Sequence, residues 1–347
     1  MKMNELGQTG IQVSDICLGT MTFGEQNTEA DAHAQLDMAF DHGVNLIDTA
    51  EMYAFPARAE TQGLTEAYVG SWLKARGTRD KVVLATKITG PGGRFNHIRD
   101  GQMRFDHEQV RRAVDGSLKR LQTDYIDLYQ THWPERPSNY FGKLGYAHDD
   151  NEADWTPFEE TLAAIADEIK AGRIRAFGVS NESAWGLMAQ LRLSDSGSLP
   201  RVASVQNAYS LICRQFEVGL AETAIRENCG LLAYSPLAFG ALSGKYLDGD
   251  PPAGSRIQRF PAFQRYFKPK AVEATAAYVK LARDHGLDPA QMAIAFVRSR
   301  RFATSTIIGA TSLDQLRDNL GAGDMTLPAD ILTAIEAIHT DNPNPGP

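Results

Sequence analysis

The chain has 347 residues, 43% of them hydrophobic and 22% charged, with 35 basic against 43 acidic side chains and a formal net charge of −8. Those proportions exclude collagen, extended disorder and low complexity. An acidic balance without a basic cluster argues against nucleic acid as a partner.

The first ten residues lack the apolar core of a signal peptide. Residues 1–14, with Gly7 and Gly10 near the middle, read as a hairpin. Apolar runs then recur at 16–18, 44–47, 82–85, 126–129, 176–179, 202–205, 231–233 and 306–308. Each is short, and most lack strict alternation, as parallel strands covered on both faces do. Helical stripes fill the gaps: Ala32, Leu36, Ala39 and Phe40; then Val110, Val114, Leu118 and Leu121; then Phe158, Leu162, Ile165 and Ile169. The third stripe has both ends marked. Thr156, Pro157 and Glu159 read as a capping box with proline at N1, and Gly172 as the C′ glycine.

Longer non-repeating stretches follow strands at 88–105, 133–155 and 236–269, and residues 341–347, with three prolines, read as a flexible tail. The longest uncharged run, 228–244, is interrupted by Gly, Pro and Ser. It falls short of the ~20 predominantly apolar residues of a membrane span, so no membrane partner is expected. Cys17, Cys213 and Cys229 are an odd number and no disulfide framework, which suits a reducing, cytoplasmic setting.

Eight strand–helix units with no internal linker predict one α/β domain over residues 1–340, a (β/α)8 TIM barrel closed at one end by the hairpin. The competing architectures fail on their own motifs. No G-x-G-x-x-G follows the first strand, and Gly240, Gly244 and Lys245 are one residue short of a P-loop and are followed by Tyr246.

The residues closing the apolar runs form a polar series: Thr20, Asp48, Lys87, His132, Ser180 with Asn181, Gln206, Tyr234 with Ser235, and Gly309. In a barrel these converge on the C-terminal rim, where chemistry is built. Taken singly they have plainer readings. Asp48 and Lys87 alone make a structural buried pair, Tyr53 alone a loop aromatic over a core edge, and His132 alone a satisfied strand-end histidine. Taken as a set, they describe an active site.

In this order the series resembles the aldo-keto reductases. The matching residues are Asp48-Thr49-Ala50 with Tyr53, Thr86-Lys87, Thr131-His132-Trp133-Pro134, Gly178-Val179-Ser180-Asn181, Gln206-Asn207, Tyr234-Ser235-Pro236-Leu237, and Ile308-Gly309-Ala310-Thr311-Ser312. They span nearly the whole chain. Glu51-Met52-Tyr53 through Gln62-Gly63-Leu64-Thr65-Glu66, the stretch 118–127 and the block Phe141-Gly142-Lys143-Leu144-Gly145-Tyr146 look most like the bacterial Tas-type branch, itself similar to potassium-channel β-subunits.

The resemblance implies NADPH-dependent reduction of aldehydes or ketones by direct hydride transfer, with Tyr53, Lys87, Asp48 and His132 as the catalytic tetrad. The residue types suit that chemistry. An alkoxide forming at the carbonyl oxygen needs a proton, and tyrosine, with a free pKa of ~10, is a reluctant acid. A cation within ~4–6 Å lowers such a pKa, by ~1–3 units in comparable cases. Lys87 is expected to supply the cation, Asp48 to keep it charged, and His132 to orient the substrate oxygen.

For the cofactor, the resemblance gives Tyr234 as the nicotinamide stacking platform and Ser180, Asn181 and Gln206 as carboxamide partners. Gly19, Thr20 and Met21 lie beneath it; the family often has Trp at Met21. Ser235, Pro236, Leu237, Gly240, Leu242, Lys245 and Arg256 form a belt over the pyrophosphate and ribose, with Lys245 and Arg256 available to a 2′-phosphate. Gly309, Thr311, Gln315, Asp318 and Asn319 hold the adenosine half, where relatives commonly have Glu at Asp318. Ser312 and Gln315 read equally as a helix capping box.

Met21, Phe23, Met52, Tyr53, Phe55 and Trp133 are candidates for an apolar mouth suited to aromatic or medium aliphatic aldehydes. Arg94, Arg99 and Arg104 either recruit an acidic substrate or form a solvated face. Two other functions stay open at this point: an NADPH-binding redox-sensor or interaction module, and a barrel isomerase with Asp48 as base.

Overall fold

The computed structural model describes residues 1–92, 95–149, 154–195 and 197–347. Strands β1 (Met3–Glu5) and β2 (Gln12–Ser14) pair antiparallel as the expected hairpin. Gly7 in its turn has φ +60°, and a Cβ there would lie 2.6 Å from the Ala203 carbonyl, so the close approach requires glycine.

The chain then alternates. β3 (Ile16–Gly19), α1 (Glu29–Asp41), β4 (Leu46–Asp48), α2 (Leu64–Arg76), β5 (Val83–Ile88) and α3 (His107–Leu121) come first. β6 (Ile126–Thr131), α4 (Phe158–Lys170), β7 (Ile174–Ser180), α5 (Ala184–Ser194), β8 (Val202–Ala208) and α6 (Phe216–Arg226) follow. After β9 (Gly230–Tyr234) come the short α7 (Arg256–Arg259), then α8 (Pro269–Asp284), α9 (Pro289–Arg298), β10 (Ala303–Ile308), α10 (Leu313–Gly321) and α11 (Ala329–Asp341).

Strands β3 to β10 close into a parallel barrel, with β10 pairing both β9 and β3. Every apolar run read from the sequence lies in or beside one of them. The chain is thus a (β/α)8 TIM barrel with an N-terminal hairpin and long rim loops. Leu6, Ile11 and Val13 of the hairpin plug the end of the barrel against inward Leu46, Leu128 and Leu232. A larger shell of apolar contact joins the outer strand faces to the helices.

Two local expectations are corrected. Pro157, not Thr156, occupies the N-cap position of α4, which has no side-chain cap, and Thr156 instead donates its backbone N–H to Glu135 Oε1 at 2.9 Å. The glutamate on the preceding loop outcompetes the helix for that residue; Gly172 does follow the helix with φ +75°. The tail is not free. Asn344 Oδ1 accepts from Arg214 N at 2.7 Å, Gly346 N donates to Ile212 O at 2.9 Å, and residues 345–347 are buried. No helix among the described residues is long and apolar enough to cross a membrane.

Candidate active site

The polar residues gather at the C-terminal ends of the strands because each strand stops where its inward side chains change from apolar to polar. Asp48 ends β4, Lys87 is the penultimate residue of β5, and His132 follows β6. Lys87 Nζ donates to Asp48 Oδ2 at 2.6 Å and to the Thr49 carbonyl at 2.8 Å, fully enclosed. It lies 5.1 Å from the Tyr53 ring centroid, close enough for its charge to act on the Tyr53 phenol. Tyr53 and His132 meet edge to face with ring centroids 5.5 Å apart.

Burial dominates the electrostatics. It raises the Tyr53 phenol above its ordinary pKa; Lys87 pulls it back, while Asp48 and Tyr234 add to the rise. The expectation of a lowered phenol therefore fails: stripping water from the phenolate costs more than one nearby ammonium returns. Lys87 is pulled down by burial, but Asp48 and Tyr53 more than restore it, so it remains a cation. His132 is held well below its usual range by burial and then by Lys87, so its imidazole is neutral. Its buried Nδ1 has no partner. An unpaired acceptor costs less than an unpaired N–H, which puts the proton on Nε2, ready to donate to a carbonyl oxygen.

A cavity of about 1310 Å³ opens above this cluster, larger than the ~300–1,000 Å³ of a typical small-ligand pocket. It runs from Tyr53 and His132 past Tyr234 to Thr311, Gln315, Asp318 and Asn319 beside α10. Gly19, Thr20, Met21, Ser180, Asn181, Gln206, Ser235, Pro236, Leu237, Gly240, Lys245, Arg256 and Gly309 also line it. Lys87 does not; it stands behind Tyr53. Leu242 does not either: it is turned into the core between barrel and helices, and so is Phe23, expected at the mouth.

Several side chains are already engaged with one another. Tyr234 donates its hydroxyl to Asn181 Oδ1 at 2.6 Å, and Asn181 Nδ2 donates to the His132 carbonyl at 2.9 Å. Ser180 Oγ donates to the Gln206 carbonyl at 2.8 Å. At the far end Ser312 caps α10, accepting from Gln315 N at 3.3 Å, while Gln315 Oε1 accepts from Thr311 N at 3.1 Å. Capping and cavity lining are both realised there.

Arg256 is the clearest mark of the ligand. Its guanidinium is half-buried over the Phe239 ring at 5.1 Å, has no carboxylate partner among the described residues, and desolvation lowers its pKa. A cation left so exposed to its own desolvation invites an anion from the cavity. A long cavity with an aromatic platform midway and an unpaired cation along its wall fits a nicotinamide dinucleotide.

Two arginines of the 88–105 loop, Arg99 and Arg104, are already engaged by carboxylates. Arg99 is buried against Glu51 with Nε 3.0 Å from Oε1, and Arg104 pairs with Glu135 at 2.6 Å and Asp154 at 2.9 Å; Arg94 lies outside the described residues. The sequence reading missed Phe95, Tyr140, Phe263 and Arg265, all lining the cavity. They sit on irregular loops where no period orients a side chain, although their place in the three long rim loops was a signal.

A family model described as the aldo/keto reductase family matches residues 15–340. The chain belongs to that family, on its Tas-type branch. It is 53% identical, over all of both chains, to Protein tas of Escherichia coli. It is 33% identical to the uncharacterized oxidoreductase YrpG of Bacillus subtilis, over 100% of this chain and 97% of that one. Identity is 29% to the NADH-specific methylglyoxal reductase of Escherichia coli, over 97% of this chain and all of that protein. The protein is an oxidoreductase of the aldo-keto reductase type, with the carbonyl-reduction chemistry of that family.

Proposed function

We propose that the protein reduces small aldehydes or ketones with NADPH, Tyr53 being the proton donor. The observation that carries this reading is the buried Asp48–Lys87 pair set beside the Tyr53 ring, with the neutral His132 ring against it. The cofactor, when bound, supplies the hydride. The chain's own residues do the rest. His132 Nε2 and the Tyr53 hydroxyl hold the carbonyl oxygen, and Tyr53 gives up its proton as negative charge develops there, with Lys87 opposing the charge left on the phenol.

Tyr234 would present its ring to the nicotinamide, with Ser180, Asn181 and Gln206 at the carboxamide. The belt of Ser235, Pro236, Leu237, Gly240, Lys245 and Arg256 would cover the pyrophosphate and ribose. Gly309, Thr311, Gln315, Asp318 and Asn319 would take the adenosine end. Preference for NADPH over NADH rests on Lys245 and Arg256, neither of which forms an ion pair among the described residues. One relative is NADH-specific by name, so cofactor choice varies among similar chains. Met52, Phe55, Phe95 and Trp133 around the mouth suit an aromatic or medium aliphatic substrate. Three free, buried cysteines fit a cytoplasmic site of action.

Tyr53→Phe tests the reading. Reduction of an aromatic aldehyde, followed by NADPH absorbance, should fall by about 10²–10⁴-fold, while fluorescence titration of the same variant shows NADPH still bound, and more tightly than NADH. Retained turnover in the variant removes Tyr53 as donor, and equal dissociation constants remove the cofactor preference. Tight binding with no turnover by the unmodified protein on a broad carbonyl panel would make it a sensor module instead.

A further inference from the structure

Asp48 accepts more hydrogen bonds than Lys87 alone supplies. Oδ2 takes Lys87 Nζ at 2.6 Å; Oδ1 takes Gln206 Nε2 at 2.8 Å and, at 3.3 Å, Gln130 Nε2. The two amides are themselves joined, Gln206 Nε2 also donating to Gln130 Oε1 at 3.2 Å. Carboxylate and amides thus form a closed ring, and all of its members are buried.

Gln130 stands directly opposite Lys87 in the β5–β6 register and two residues before His132. The alternation of a strand therefore points Leu128, Gln130 and His132 the same way, toward the barrel axis. An ionised carboxylate only accepts, so both amides must turn their NH2 groups to it. For Gln206 that leaves the oxygen turned away from Asp48, on the side of the cavity it lines. Gln130 does not line the cavity and serves Asp48 and Gln206 only.

We propose that Gln130 is a positioning residue for proton transfer: by sharing the charge on Asp48 Oδ1 it sets how tightly Asp48 holds Lys87, and through Lys87 how readily Tyr53 parts with its proton. The inference rests on Tyr53 being the proton donor. The groups facing the Tyr53–Lys87 pair are Asp48, Cys17, His132, Tyr234 and Arg256, and Gln130 reaches them through Asp48. Removing one donor from Asp48 concentrates its charge and strengthens its grip on the ammonium, which then stabilises the phenolate less.

The test uses Gln130→Met and Gln130→Leu, which keep bulk and remove the donor, with alcohol oxidation by NADP⁺ measured from pH 6 to 10. That direction needs the phenolate as base, so its rate rises with pH along an acid limb. In both variants the limb should move up by about 0.5–1 pH unit, a threefold to tenfold lower rate at a fixed pH on that limb, and the high-pH plateau should be recovered. A loss equal at every pH marks a merely structural residue and overturns the proposal, as does an unchanged profile. If one variant does not fold, the other carries the measurement. Tyr53→Phe run alongside separates the two readings. If it retains oxidation, the donor assignment fails; if it is inactive while the Gln130 limbs stay in place, only the role of Gln130 fails.

Discussion

His132 shows how burial, more than neighbouring charge, governs single residues at this rim. Its imidazole is enclosed beside Tyr53 and Trp133, and desolvation, reinforced by the Lys87 ammonium, keeps it neutral far below the pH at which a free histidine titrates. The sign for stability follows. Below a free pKa of ~6.5 the unfolded chain takes up a proton that the folded chain refuses, so this stability is present above that pH and lost as pH falls toward the folded value. Urea unfolding of the unmodified protein should weaken between pH 7 and pH 5 more steeply than that of His132→Gln, by at most about 1.4 kcal/mol per pH unit, the one-proton limit. Identical slopes would mean that the histidine is hydrated or shares a proton with a group not seen beside it. The same balance explains Tyr53. A sequence places a lysine near a phenol and suggests acidity; it cannot weigh the water removed from both.

At the scale of elements, two rim loops are fastened by one buried pair. Glu51, on the segment leading to Tyr53, accepts Arg99 Nε at 3.0 Å and Thr89 N at 2.9 Å. Arg99 in turn donates to the carbonyls of Thr89 and Gln102 at 2.8 and 3.0 Å. Arg99→Met should cost about 3–5 kcal/mol in chemical denaturation, because Glu51 is left buried and unpaired. Combining it with Glu51→Met should recover part of that loss, since the second change removes the orphaned charge. A fully additive double variant would show that the loops are held by other contacts. This pair was invisible in the sequence, where Arg99 looked like surface or an anion recruiter, because residues 51 and 99 share no period. The strands were legible for the opposite reason: each is buried on both faces, so an uninterrupted apolar run marks it, and the residue that ends the run marks the rim. Leu242 and Phe23 went astray on irregular turns, where one residue's displacement exchanges cavity for core.

For the whole molecule, the tail links parts of the cofactor-side wall that the barrel alone leaves separate. After α11 the chain turns back, and Arg265 Nε donates to the Pro347 carbonyl at 2.7 Å while Asn344 and Gly346 bond the 212–214 segment. Arg265 also lines the cavity and its charge acts on the Tyr234 phenol, so the tail braces the 236–269 loop beside the proposed nicotinamide platform. Composition hid this: a proline-rich end reads as unfolded when its docking surface is assembled only by the fold. A Cβ on Gly346 would lie 3.0 Å from Tyr266 Cδ1 and 3.3 Å from Ile212 Cδ1, closer than either packed ring or side chain readily yields. Gly346→Val combined with Asn344→Ala should therefore lift the tail with the barrel intact. With net contributions of about 0.5–1.5 kcal/mol per lost hydrogen bond, the NADPH dissociation constant should rise about threefold to tenfold. The turnover number at saturating cofactor should stay close to that of the unmodified protein, because the Asp48–Lys87–Tyr53 chain is untouched by the tail. A fluorescence titration showing unchanged affinity, with the tail demonstrably cleavable by protease, would mean that Arg265 and the 236–269 loop keep their place without it.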